Sequence, residues 1–378
     1  MNIGTAYASY TNTLQPLAGP NAIASASQIA QCYEGFNSAL QPINWGCGYS
    51  SPAISPNFGG NAIAQAGGWG NDYQSAAGGW GNDAIAQWGG PGNDLQRAWG
   101  GPGNDAIAQS GGWGNDRQVA RGGWGSDAIR QAGGWGNDVQ RAHGGPGHDS
   151  IRQSGGFGND RQVARGGWGS DAIRQHGGFG NDVQRAHGGS GHDRIAQRGG
   201  PGNDRQVAHG GRGSDVIRQH GGFGNDVQRA HGGSGPDRIA QRGGPGNDRQ
   251  VAHGGRGSDA IRQRGGAGND VQRAHGGKGN DRIVQGGGGG NDRLVANGGR
   301  GNDRVVQRGG AGNDTLRYNA SNGKDRVNIN GGAGDDKAVL NMKGKNYTII
   351  GNDGKILEQH GKGGTTVRLR GVEDYVIK

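Results

Sequence analysis

Between Gly67 and Asp314, charged and uncharged positions alternate inside five-residue segments that recur every eleven residues. Number each segment from the residue after its aspartate. Positions 2 and 4 then carry no charged residue, while positions 1, 3 and 5 hold nearly all the strand arginines and most histidines. Successive side chains of a strand face opposite ways, so this period of two predicts short strands with positions 2 and 4 inward. Each segment follows Gly-Gly-x-Gly-Asn-Asp or a close variant, which predicts a turn.

The inward pair alternates from unit to unit. One set reads Ile then Gln, as in Ile129 with Gln131, Ile151 with Gln153 and Ile173 with Gln175. The other reads Gln then Ala, as in Gln118 with Ala120 and Gln140 with Ala142. The structural repeat is therefore two units: strand, turn, strand, turn. A chain of such repeats stacks coil upon coil. The predicted fold is all-β, a right-handed parallel β-roll or β-solenoid with 22 residues per coil and two facing parallel sheets. The 25 turns from Asp72 to Asp336 make about twelve coils, or a rod roughly 60 Å long at the spacing of strands.

Its core is small and half polar. Isoleucines supply hydrophobic burial and alanines keep the sheets close. Buried glutamines need partners, which identical glutamines one strand apart can supply along the ladder. Leu294, Val305 and Leu316 replace core polar or isoleucine positions, so the C-terminal end is expected to pack most stably.

Three regions separate by composition. Residues 1–58 form an N-terminal leader or cap without lysine or arginine. Within it, Asn21–Leu40 spaces apolar residues as a short capping helix would, and a flexible leader is the alternative. Residues 59–336 are the β-roll. Residues 337–378 contain short β-rich runs and read as a C-terminal β-rich cap, shielding the last strands from edge pairing.

With 89 glycines in 378 residues and 30% hydrophobic residues, a conventional core is excluded. Disorder is the competing reading for such a composition, with its net charge of +9. The unbroken register argues for order, because a linker tolerates insertions. Cys32 and Cys47 precede the repeats and allow either a disulfide or two thiols. No apolar run is long enough to span a membrane. Residues 1–10 lack the features of a secretory signal peptide, so export would need a signal-peptide-independent route.

The acids carry the chemistry. Of 31 acidic residues, 25 are register aspartates of the turns. Carboxylates stacked one strand apart repel unless a cation lies between them. Calcium fits that role, since it takes six to eight oxygens and the glycine turns offer carbonyls. The candidate calcium ligands are Asp72, Asp83, Asp94, Asp105, Asp116, Asp127, Asp138, Asp149, Asp160, Asp171, Asp182 and Asp193, then Asp204, Asp215, Asp226, Asp237, Asp248, Asp259, Asp270, Asp281, Asp292, Asp303, Asp314 and Asp336. The alternative is that each aspartate only closes its turn.

These turns resemble the calcium-binding β-roll of the RTX (repeat-in-toxin) family. The likeness is closest at Gly298-Gly-Arg-Gly-Asn-Asp303-Arg-Val305 and Gly309-Gly-Ala-Gly-Asn-Asp314-Thr-Leu316. Here the turn is intact and each strand is longer by two residues. The resemblance covers residues 67–336. It implies ligation by the turn-end aspartates and the glycine and x carbonyls before them, and secretion without an N-terminal signal peptide. A fainter likeness to curlin repeats at Asn61-Ala-Ile-Ala-Gln65 lacks the spacing of that family.

Outward positions swap arginine and valine between strands of one sheet, as in Arg117 with Val119, then Val139 with Arg141. Arg161 and Arg185 continue the stagger, which separates like charges. Arg117, Arg141, Arg161 and Arg185 are thus candidates for binding a polyanion such as acidic polysaccharide or lipopolysaccharide. Nucleic acid is disfavoured for want of a binding motif. The histidines lie singly along the sequence, which disfavours zinc. Trp69, Trp80, Trp113 and Trp124 share the variable turn position and are candidates for assembly or sugar stacking. No catalytic constellation stands outside the repeats, so no enzyme is expected. The expected function is a secreted, calcium-dependent structural or adhesive protein that self-assembles at or near a cell surface. A binding module for acidic glycans and a metal-free glutamine-ladder scaffold are the alternatives.

Overall fold

The computed structural model describes residues 53–54 and 59–378. The leader helix expected over Asn21–Leu40, with Cys32 and Cys47, lies outside the described residues. The described chain forms a right-handed parallel β-solenoid of two sheets with a 22-residue period. Strands alternate between the sheets. Leu95–Pro102, Arg117–Trp124 and Val139–Pro146 belong to one, the Gln–Ala sheet. Ala106–Trp113, Ala128–Trp135 and Ser150–Phe157 belong to the other, the Ile–Gln sheet. Among the described residues the sheets hold 15 and 16 strands. That makes about fourteen coils rather than twelve, because Ala62–Ala66 precedes the first full turn and residues 337–378 add strands to both sheets.

Register is maintained at 22 residues throughout the repeats. Ile129 pairs with Ile151 and Ile151 with Ile173; Gln131, Gln153 and Gln175 follow in the same way. Positions 2 and 4 point inward. Ile129, Ile151 and Ile173 are buried, as are Gln118 and Ala120 on the facing sheet, while Arg130 and Arg152 are exposed. The strands are eight residues long, not five, since pairing continues through Gly-Gly-x. The turn proper shrinks to Gly-Asn-Asp.

Apolar burial in each central coil is one isoleucine and one alanine. A buried isoleucine contributes about 1.5–3 kcal/mol, far less than the ordering of 22 residues costs. Hydrogen bonds between coils must therefore carry the difference. Gln153 Nε2 donates to Gln131 Oε1 at 2.8 Å and to the Val163 carbonyl across the core at 3.1 Å. On the facing sheet Gln140 donates to Gln118 Oε1 at 3.0 Å and to the Ser154 carbonyl at 2.8 Å. Each glutamine thus joins its own sheet and pins it to the other.

The last coils change chemistry. Leu294, Leu316 and Ala338 succeed Gln272 in one column, and Ile329 and Leu369 succeed Gln307 in the other. Tyr318, Leu340, Val327 and Val367 are buried beside them. Thr365–Arg370 extends the Ile–Gln sheet in parallel, Tyr347–Ile350 follows it, and Ile356–His360 closes the edge as an antiparallel strand.

Candidate functional site

The register aspartates form two columns, one along each edge where the chain turns between sheets. Their side chains point inward and are buried from Asp72 to Asp336. Each Oδ1 accepts the backbone N–H of the aspartate one coil earlier: Asp116 N donates to Asp138 Oδ1, and Asp138 N to Asp160 Oδ1, both at 2.8 Å. A second ladder on the outside runs the opposite way, with Asn137 N donating to Asn115 Oδ1 at 2.7 Å. Where His148 replaces asparagine, its Nδ1 takes over as acceptor from Ser170 N at 2.8 Å. Only an acceptor is required there, which explains the exchange of Asn, Ser and His.

The other carboxylate oxygen, Oδ2, lies where a side chain of the first turn glycine would be. A Cβ on Gly133 would stand 2.2 Å from Asp138 Oδ2. This glycine has ordinary φ; its Cβ is forbidden by the carboxylate. Twenty-three of these Oδ2 atoms are buried with no hydrogen-bond partner. The exceptions are instructive. Gly68 N donates to Asp72 Oδ2, and the Tyr318 hydroxyl donates to Asp325 Oδ2. Asp325 was left out of the ligand set read from sequence because its turn lacks the Gly-Gly pair. The structure places it in the same column, with Asp303 N donating to its Oδ1 at 2.9 Å.

Burial drives these carboxyls upward, against the pull of the backbone hydrogen bond. Asp149 is pushed to about 8, Asp105 and Asp116 to about 7, and Asp127 and Asp138 to about 6. For Asp105, Asp116 and Asp149 the carboxylates one coil away push further in the same direction.

Apart from Oδ2, oxygens that the RTX resemblance assigns to calcium already accept hydrogen bonds between coils. Oδ1 holds the neighbouring amide. The carbonyl of the variable turn residue accepts a glycine N–H from the preceding coil, as Trp135 O does from Gly114 N at 2.7 Å. The aspartate carbonyl accepts from the following coil, as Asp116 O does from Val139 N at 2.8 Å. Among the described residues no three His, Cys, Asp or Glu side chains converge on one point.

The candidate arginines lie on the outer face of the Gln–Ala sheet. Arg161 is paired with Val183 and Val163 with Arg185, and the same stagger relates Arg117 to Arg141. In the other sheet the stagger begins only after Arg174, where Arg194 pairs with Val216 and Ala196 with Arg218; before it, Arg130, Arg152 and Arg174 stand side by side on successive strands. The column is legible at the 22-residue interval, where Arg130, Arg152 and Arg174 recur at position 3. Among the described residues the two ion pairs, Lys337–Asp374 and Lys355–Asp353, lie outside the repeats.

The four candidate tryptophans do not share a surface. Consecutive turns fall on opposite edges, so Trp69 and Trp113 lie along one and Trp80 and Trp124 along the other. All four are exposed. The first edge continues past the tryptophans named from sequence into an exposed aromatic stack. Its ring centroids are 6.1 Å apart for Trp113–Trp135, 4.4 Å for Trp135–Phe157 and 5.0 Å for Phe157–Phe179.

The histidines, 22 residues apart in sequence, also gather in one column. His187, His209, His231, His253 and His275 occupy position 5 of successive strands in the Gln–Ala sheet. Their ring centroids are 5.7–6.2 Å apart. They form one wall of a groove of about 1000 Å³ whose other wall includes Arg256, Lys278 and Arg300.

No protein family, curated protein or solved structure matches this chain. The fold stands on its own geometry, and nothing ties it to the RTX family in particular. Among the described residues no helix is long and apolar enough to cross a membrane.

Proposed function

We propose that the chain is a metal-independent structural scaffold, held together by its aspartate and glutamine ladders, which joins further copies through the exposed aromatic edge. The observation that carries this reading is the paired ladder. Each central coil is bonded to the next through Oδ1 of aspartate and the amide of glutamine. The stack from Trp113 to Phe179 supports assembly, since a contiguous exposed aromatic strip marks a contact surface. The proposal assigns no catalysis.

The test is circular dichroism and sedimentation of the full chain in excess chelator, with metal analysis. The expected result is full β content, no stoichiometric calcium, and oligomers that dissociate in a Trp135→Ser, Phe157→Ser double variant. A chain that is disordered in chelator and folds cooperatively on adding calcium overturns it.

That outcome would favour a second reading, calcium-dependent folding, for which the orphaned Oδ2 atoms speak. The aspartate columns would then hold the ion, and its charge would relieve the repulsion between neighbouring carboxylates. The turns would have to rearrange to release oxygens now engaged between coils.

A further inference from the structure

The lining of the histidine-walled groove includes none of the register aspartates and none of the arginines singled out by sequence, although Asp215 and Asp259 lie close enough to act electrostatically on His187 and His231. Its floor is bare backbone. The second turn glycines Gly211, Gly233, Gly255 and Gly277 have φ of 124–128°, and a Cβ on Gly233 would stand 2.0 Å from the Gly211 carbonyl. No side chain can fill the floor, so the groove stays open along successive coils. One wall is the histidine column. The other carries Arg256, Lys278 and Arg300 on three consecutive rungs, with Lys345 at the end. No carboxylate lines it, and none of these cations takes part in an ion pair. Ser234, Asn297 and Asn322 add neutral hydrogen-bonding groups.

Toward the N-terminus the same edge continues in a second recess of about 410 Å³, lined by His143, Arg165, Trp168 and Arg212. Trp168 is 74% exposed. The edge therefore presents an aromatic face, then a run of cations one strand spacing apart, over a floor that excludes side chains.

We infer that this edge binds a linear acidic polysaccharide, lying along the solenoid with its anionic groups against Arg256, Lys278 and Arg300 and a sugar ring against Trp168. The chemistry selects this ligand over other polyanions. A sugar residue advances a chain by about the length of one rung, so a carboxylated chain lying along the edge keeps anionic groups within reach of the cations over several rungs. Tryptophan stacks on apolar sugar faces while serine and asparagine satisfy hydroxyls. A single-stranded nucleic acid needs repeated aromatic platforms for its bases. The cationic stretch has none, and its histidines from His187 to His275 meet one another edge to face.

The test is calorimetric titration of the full chain with polygalacturonate oligomers of defined length, at neutral pH and fixed salt. Neutral dextran and an oligothymidylate serve as comparison ligands. A triple Arg256→Gln, Lys278→Gln, Arg300→Gln variant should bind about tenfold more weakly. A control triple, Arg130→Gln, Arg152→Gln, Arg174→Gln, removes the same charge from the opposite sheet and should lose less than about threefold. Trp168→Ser should weaken polygalacturonate binding as well. Circular dichroism of each variant verifies the fold. Equal losses in both triples would reduce the effect to net charge and overturn the site. Binding of oligothymidylate as tight as polygalacturonate, or no saturable binding, would overturn the ligand.

Discussion

The central coils and the C-terminal coils share one backbone path but are held by different forces. Around Ile151 the interior is half amide and carboxyl, ordered by ladders that repeat on every rung. Around Leu316 it is nearly all apolar, with Leu294, Tyr318, Ile329, Leu340 and Val367 packed together. The junction is marked by loose ends. Gln272 Oε1 and Gln307 Oε1, the last glutamines of their columns, have no donor because a leucine and an isoleucine follow them. A polar ladder is satisfied only by more of itself, whereas an apolar core can close an end. This assigns the apolar coils the role of terminus and leaves the polar coils free to repeat.

The broadest way to break the comparison is pH. Carboxyls raised in the folded state bind protons more tightly there than in the unfolded chain. Their contribution is fully present below the unfolded carboxylate range and is lost as pH rises through the folded values, about 6 to about 8 in the central coils. Histidines held below their ordinary value by burial, such as His209 and His253, act in the opposite sense, but the aspartates outnumber them. In chelator, melting temperature should therefore fall between pH 5.5 and 8.5. Hydrogen exchange, corrected for intrinsic rates, should show central amides losing protection before those around Leu316. A melting temperature that rises over this range would contradict the buried columns.

Next in size is a buried charge. Ile151→Asp should cost several kcal/mol, on the order of the largest single-site effects. Exchange should localise the damage to adjacent coils. Leu316→Asp should instead lower the denaturation midpoint of the whole solenoid, because it opens the end. If both variants unfold the chain alike, the two regions are one cooperative unit.

Smaller, and sharper, is a pair of glutamine exchanges. Gln162→Leu strands Gln140 Oε1 and the His176 carbonyl and takes from Gln184 Nε2 one of its two bonds, at about 1–3 kcal/mol for each group left without a partner. Gln272→Leu strands only the Gly286 carbonyl, since Gln250 Oε1 and Gln272 Oε1 are already orphaned, and sets leucine beside Leu294, so urea denaturation should find it less costly. Equal costs would deny the distinction between the regions.

The smallest effect is at the surface. Arg152→Ser relieves the like-charge column of Arg130, Arg152 and Arg174 and should stabilise the fold by a few tenths of a kcal/mol. The gain should shrink in high salt. Arg161→Ser, already staggered against valine, should change less.

Much of this was legible in the chain. The period of two places Ile151 and Gln153 inside, and the alternation of Ile–Gln with Gln–Ala yields a two-strand coil. Those features are local, and identical side chains at a fixed interval leave a single register that stacks like on like. The sequence also confined the acids to the turns, but it left open whether each aspartate awaits a cation or closes the turn. That depends on where Oδ1 and Oδ2 point. Folding brings the amide of one coil to Oδ1 and the first glycine of the turn to Oδ2.

Tertiary structure alone decided how closely the residues that the coil brings into one column approach each other. Trp69 and Trp80 are eleven residues apart and lie on opposite edges, while His209 and His231 are 22 apart and stand ring against ring. The physical reason is that half a coil moves a residue to the other edge, whereas a full coil returns it to the same place, one rung further on.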